Sequence, residues 1–255
     1  MDAITHAYWL EQTEADVPVT NHWLSAEEMS RLAGLLVEKR RRDWRLGRWT
    51  AKRALCSWLN IADDVHFSAE IEIRAAASGA PEVFFFNQLA AISISLSHRG
   101  GRALCVVGSR EASLGCDLEL VEPRDRSFLT EFFSASEQNL VDQAPAEEQP
   151  LLATLLWSAK ESALKALKVG LRLETTRLDV SPTYTAQRRA DGAHPSPDIA
   201  WLPFSVNRIN EQILYGWWRC ANNMVRTVVF NPYSHAVRIL STKRPSAVVA
   251  IGGVN

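Results

Sequence analysis

What this chain of 255 residues lacks narrows its class before any motif is read. No apolar run approaches the length of a membrane span. The start, Met1 to Val17, is acidic and has neither the basic n-region nor the apolar h-region of a leader, so the expectation is a cytoplasmic protein. There is no excess charge of either sign: 28 Lys and Arg stand against 29 Asp and Glu, a net charge of −1. Nothing global therefore points to nucleic acid or a membrane surface, and recognition by charge has to be local. Cysteine is sparse. Cys56, Cys105, Cys116 and Cys220 show no Cys-x-x-Cys spacing and lie in apolar segments, which excludes a disulfide scaffold or zinc finger and predicts reduced core residues. With 47% hydrophobic residues the chain has material for a substantial core, in one large domain or two of ordinary size.

Two short segments carry the chemistry. In Gly115-Cys116-Asp117-Leu118-Glu119, read as a strand, Asp117 and Glu119 project from one face while Cys116 and Leu118 point the other way. In Trp157-Ser158-Ala159-Lys160-Glu161-Ser162-Ala163-Leu164-Lys165, helical spacing sets Glu161 and Lys165 one turn apart on one face. Three hard oxygen ligands with cations beside them suit Mg²⁺ and a diphosphate, since Mg²⁺ takes few protein carboxylates and completes its shell with water and phosphate oxygens. Each motif alone has a plainer reading. An Asp-x-Glu alternation is the wet face of many strands, and Glu followed four residues on by Lys is a common surface pair.

The combination is more specific. Gly-x-Asp-x-Glu followed by Trp-Ser-x-Lys-Glu-Ser-x-x-Lys resembles the two signature motifs of the 4'-phosphopantetheinyl transferases, in particular the larger Sfp-type members. Gly47-Arg48 resembles the early Gly-Arg helix of that family, Ser93 to His98 its Ser-His strand end, and Phe132-Phe133 with Glu137 a further match in order. The likeness covers about residues 23 to 180. It implies an α+β fold of two similar subdomains about a pseudo-twofold axis, each a small antiparallel sheet packed on a long helix, with the active site in the cleft between them. It implies transfer of phosphopantetheine from coenzyme A to a serine of an acyl or peptidyl carrier protein, with Mg²⁺, by a monomer. On that reading Asp117, Glu119 and Glu161 hold the metal, Glu161 or a metal-bound water is the candidate base, and Lys165 and Lys160 stabilise the diphosphate. Arg48, Lys52, Ser97 and His98 become candidates for coenzyme A. The family's first-half turn commonly reads Gly-Lys-Pro where this chain has Gly79-Ala80-Pro81, and Arg74 is the candidate substitute for the missing cation. The rival reading is a coenzyme A or carrier-protein binding protein without turnover.

Organisation follows the same division, with halves 1–112 and 113–255. Ser25-x-x-Glu28 and Ser134-x-x-Glu137 are capping boxes. The first is expected to open a helix running toward Lys39, followed by a second from about Asp43 to Leu59. Phe67 to Phe86 reads as strands around a turn at Ala77 to Pro81, and residues 91–96 and 103–107 as a hairpin about Arg99-Gly100-Gly101-Arg102. Leu151 to Lys168 is helical. Trp49-Thr50-Ala51-Lys52 and Trp157-Ser158-Ala159-Lys160 share one pattern, which suggests an internal duplication. Residues 181–198 read as a loop or flexible insertion, and 213–228 and 236–240 as strands completing the second sheet.

A run of eight cations, Lys39, Arg40, Arg41, Arg42, Arg45, Arg48, Lys52 and Arg53, lies on the first main helix. Helical projection puts Arg41, Arg45, Arg48 and Lys52 in one stripe. A nucleic-acid face is conceivable there, but the near-neutral chain argues against it. Carrier proteins of the family are acidic, which makes Arg124, Arg126, Val121 and Phe128 the expected docking residues. The tryptophans are assigned to packing.

Overall fold

The computed structural model describes residues 5–61, 65–169, 173–182, 201–208, 213–231 and 237–241. The chain divides into two compact units, Met1–Ala112 with Ser234–Asn255, and Ser113–Tyr233.

In the first unit the Ser25 capping box forms as expected: the hydroxyl accepts from Glu28 N, and the Glu28 carboxylate accepts from Ser25 N. Helix α1 (Ala26–Ala33) stops at Gly34 rather than running to Lys39, and α2 starts early, at Glu38, and runs to Trp58. Arg41 explains the break. Its guanidinium reaches back from the first turn of α2 to accept nothing and donate twice, to Leu32 O and Leu35 O, closing the carbonyl end of α1. Phe67 falls in a short helix, α3 (Val65–Glu70), so the strand material begins only at Ile71. Strands β1 (Thr5–Thr13), β2 (Ile71–Ala75), β3 (Pro81–Phe85), β4 (Gln88–Arg99) and β5 (Arg102–Ser109) form one sheet with β11 (Val237–Ser241), in the order β11-β1-β5-β4-β3-β2. The β4–β5 hairpin turns on Gly100 and Gly101, both at positive φ, as a two-residue turn between right-twisted strands requires. Helix α2 lays Ala51, Ala54, Leu55 and Cys56 on Ile71, Ile73, Val83, Ile94, Cys105 and Val107 to make the core.

The second unit holds a five-stranded antiparallel sheet, β6-β10-β9-β8-β7, made of β6 (Ser113–Leu120), β7 (Leu178–Pro182), β8 (Leu202–Arg208), β9 (Ile213–Ala221) and β10 (Met224–Asn231). Helices α4 (Arg126–Phe132), α5 (Ala135–Asp142) and α6 (Gln149–Ala166) complete it. The periodic residues of α6, Leu152, Leu155, Leu156, Ala159 and Ala163, bury against Leu178, Val180, Val206, Val225 and Val229. Each unit is thus an α+β layer pair with one long helix on one sheet, the architecture expected from the sequence.

The end of the chain corrects one expectation. The sequence assigns residues 236–240 to the second sheet, yet β11 pairs in parallel with β1 of the first unit. A short, mostly apolar run shows that a strand forms but not its distant partner. Most of the stretch read as an insertion, 183–198 of 181–198, lies outside the described residues. Cys56, Cys105 and Cys116 are buried free thiols, as expected, while Cys220 is free but only half-buried.

Candidate active site

The two chemical motifs meet because of a glycine. A Cβ on Gly115 would lie 1.9 Å from Ser162 O and 2.6 Å from Ala166 N, so the backbone of α6 rests directly on β6 at a point where no side chain fits. This close approach sets the last turns of α6 beside Asp117. The contact is reinforced by buried hydroxyls: Ser158 and Ser162 of α6 lie 2.9 and 2.6 Å from Thr227 Oγ1 on β10, the residue paired with Asp117 across the sheet. The two serines of the signature are therefore structural, fixing the rotation of α6.

Around that junction, Lys165 donates to Asp117 Oδ1 at 2.8 Å and to Cys116 O at 2.9 Å. Asp117 is buried, while the Lys165 side chain is 30% exposed. Burial alone would lower the Lys165 pKa, but Asp117, with Cys116 and Glu161 behind it, outweighs burial and holds the ammonium above its ordinary value. Glu161 moves the other way from a free carboxylate. Burial, then the charge of Asp117, raises its pKa, Lys165 offsets part of this, and Glu119 adds to it. The three acids thus share one electrostatic neighbourhood. Glu119 accepts from the indole N–H of Trp157 at 3.3 Å and lies 3.7 Å from the Arg124 guanidinium. Trp157 packs edge-on against Phe128 and Phe132 and orients Glu119 as well, a role the packing assignment missed. Nothing in a single sequence marks that hydrogen bond. Arg124, expected among the docking residues, stacks on Phe128 beside the acids.

Lys160 and Lys52 leave the set of ligand-facing residues. Both are fully buried. Lys160 is paired with Glu137 at 2.5 Å and donates to Phe132 O and Thr175 O, and Lys52 is paired with Glu28 at 2.5 Å and donates to Trp23 O and Ser68 O. Three donors with three acceptors use each ammonium completely. Helical projection sets Lys52 in the cationic stripe and cannot show what covers it, because Trp23 comes from far back in the chain. The rest of that stripe is similarly engaged: Arg41 as described, Arg45 on Pro18 O, and Arg48 3.7 Å from Glu28 and stacked on Trp44. A nucleic-acid face has little free cation to work with there.

The other first-unit candidates remain at the surface. His98, at the end of β4, is 56% exposed, with Nε2 3.9 Å from Asp43, and Ser97 precedes it half-buried. Arg74 donates to Glu72 and Asn87 and stacks on Phe84, which leaves its guanidinium partly committed across the β2–β3 hairpin. Arg126 forms a two-oxygen pair with Asp142 at 2.8 Å on the exposed side of α4.

Among the described residues, no three carboxylate, histidine or cysteine groups converge on one metal position. The chemistry of the donor set nevertheless fits Mg²⁺. Asp117, Glu119 and Glu161 are hard oxygen donors; burial first, and then the charges of Asp117 and Glu119, raise Glu161, and a divalent cation relieves the part that is repulsion.

Residues 113–212 match the family model of the 4'-phosphopantetheinyl transferase superfamily. The chain is 34% identical over 114 residues to the 4'-phosphopantetheinyl transferase psf-1 of Bacillus pumilus, covering 43% of this chain and 46% of that protein. It is 31% identical over 128 residues to the 4'-phosphopantetheinyl transferase AcpT of Salmonella typhimurium, covering 49% of this chain and 58% of that protein. The chain spans about half the length of the curated relatives it matches, and the family match contains both signature motifs. The likeness read from the motifs is borne out over this part of the chain. No helix among the described residues is long and apolar enough to cross a membrane.

Proposed function

We propose that the chain transfers 4'-phosphopantetheine from coenzyme A to the serine hydroxyl of an apo acyl or peptidyl carrier protein, as a cytoplasmic monomer, releasing adenosine 3',5'-bisphosphate. One observation carries the reading: Gly115 lets α6 close on β6, so that Glu161 and Lys165 stand beside Asp117 within the segment that matches the transferase superfamily. Asp117, Glu119 and Glu161 would hold Mg²⁺. Bound there, the metal supplies charge neutralisation at the diphosphate.

The remaining work falls to side chains of the chain. Lys165 keeps its proton throughout the neutral range, because its pKa is raised, and is partly exposed, so it can donate to diphosphate oxygens as negative charge grows on the leaving group. The carrier serine Oγ forms the new bond to phosphorus, the bond from phosphorus to the bridging diphosphate oxygen breaks, and that oxygen leaves with its electron pair on adenosine 3',5'-bisphosphate. The serine proton passes to Glu161, directly or through a water. Arg48, Ser97, His98 and Arg74 are the proposed coenzyme A contacts of the first unit. Lys52 and Lys160 act by holding the helices that present the others.

The test is an intact-mass measurement on purified chain, coenzyme A, Mg²⁺ and an apo carrier protein. A gain of one phosphopantetheine, lost with EDTA and lost in Asp117→Ala, is expected. Undiminished transfer in Asp117→Ala would sink the metal assignment. No gain on any acyl or peptidyl carrier, with coenzyme A still bound, would favour a binding protein without turnover.

A further inference from the structure

Arg124 occupies an unusual place. Its side chain is only 16% exposed, and its Nε and Nη2 atoms are buried without a hydrogen-bond partner among the described residues. Nη2 faces Glu119 Oε2 at 3.7 Å, close enough for charge attraction and too far for a hydrogen bond. What holds the guanidinium is the Phe128 ring, 4.8 Å from its central carbon, and Phe128 is itself seated against Phe132, Phe133 and Trp157. Burying two guanidinium N–H groups without a hydrogen-bond acceptor is costly unless a negative charge compensates them, and Glu119 is the carboxylate provided.

We infer that Arg124 is a stand-in for the metal at Glu119: it neutralises that carboxylate in the metal-free chain and competes with a divalent cation for it. The inference rests on the metal reading proposed above. Trp157 plays the opposite part. Its neutral N–H fixes Glu119 Oε1 without adding charge, so it orients the ligand and does not oppose a metal. Because Arg124 is held by a ring face rather than by hydrogen bonds, releasing it breaks no directional contact. Its position favours a site that stays folded and charge-balanced when empty and loads only when metal is abundant. Arg124 is a positioning residue, acting through Glu119.

The test is Mn²⁺ binding to the full chain without coenzyme A, read by the loss of the free-ion electron paramagnetic resonance signal. Removing one screened charge from a partly exposed pair predicts binding about threefold tighter in Arg124→Met, with Arg124→Lys close to the parent. If Arg124→Met folds poorly by circular dichroism, Arg124→Gln takes its place. Equal or weaker binding in the neutral variant, with the parent binding Mn²⁺, overturns the inference and leaves the transferase reading intact. No binding by the parent or any variant overturns both, because there is then no metal for Arg124 to replace.

Discussion

Glu28 in the first unit and Glu137 in the second are used in the same way, and the comparison separates scaffold from chemistry. Each closes a capping box by accepting from the N–H of its own Ser, each pairs with a buried lysine of the long helix, and each turns its other oxygen to an amide of an edge strand, Ile73 N or Val180 N. One carboxylate thereby ties a helix start, the main helix and the open edge of a sheet, where an unpaired N–H would invite another chain. The lysines repeat the pattern by bonding two carbonyls each. The units diverge one residue later. After Lys52 comes Arg53, stacked on Trp49, while after Lys160 comes Glu161, beside Asp117. Four residues further on, Ser57 returns to its own helix and Lys165 reaches across to β6. The shared part supports the fold, and the acidic chemistry stands in the second unit.

The strongest way to break this comparison is to remove a lysine. Lys160→Met leaves Glu137 buried beside an apolar chain, and the expected loss is about 3–5 kcal/mol. Lys52→Met is expected to cost a similar amount. Urea unfolding of both variants checks it; a tolerated substitution in one unit only would show that the two pins are not equivalent. The glycines come next and should separate the units. Gly115→Ala forces α6 off β6 and is expected to cost about 3 kcal/mol with loss of transfer activity. Gly47→Ala, in α2, meets nothing within 4 Å and is expected to stabilise by about 1 kcal/mol, because alanine is the better helix former. Thermal melts of the pair give the opposite signs directly.

The smallest effect is in pH. The folded chain holds the Glu161 proton more tightly than the unfolded chain, because burial and then Asp117 raise that carboxyl. Its contribution is fully present below the ordinary glutamate range and is lost as pH rises through the raised value. Metal-free Glu161→Gln should therefore show a flatter stability profile across mildly acidic to neutral pH, and be the more stable form at pH 7. Unfolding in EDTA at several pH values measures it, and parallel profiles would remove Glu161 from the shared neighbourhood.

How much of this was legible follows from how local each feature is. The capping boxes, the Gly100-Gly101 turn and α6 lie within a few residues of their own signals, and the sequence states them. Asp117, Glu119, Glu161 and Lys165 were also visible, because period-two and period-four spacing needs no tertiary information. The sequence did not reveal that Lys52 and Lys160 are buried. A lysine on a helix face reads as solvated until a distant Glu and two distant carbonyls are brought over it. The same holds for β11, whose partner is more than 200 residues away, and for Trp157 and Arg124 on Glu119. The break at Gly34 was open to reading, since a glycine followed by Leu35-Leu36-Val37 marks a helix end, but the capping box upstream favoured a longer helix.

The parallel pairing of β11 with β1 gives the molecule an unusual covalent layout. The chain leaves the first unit at residue 112, makes the whole of the second, and comes back near residue 234 to add a strand to the sheet where it began. In the language of chain topology, the second unit is an insertion closed at both ends. A single protease nick at the 112–113 junction would leave the two units covalently joined, and only a second cut beyond Tyr233 would sever the remaining peptide link.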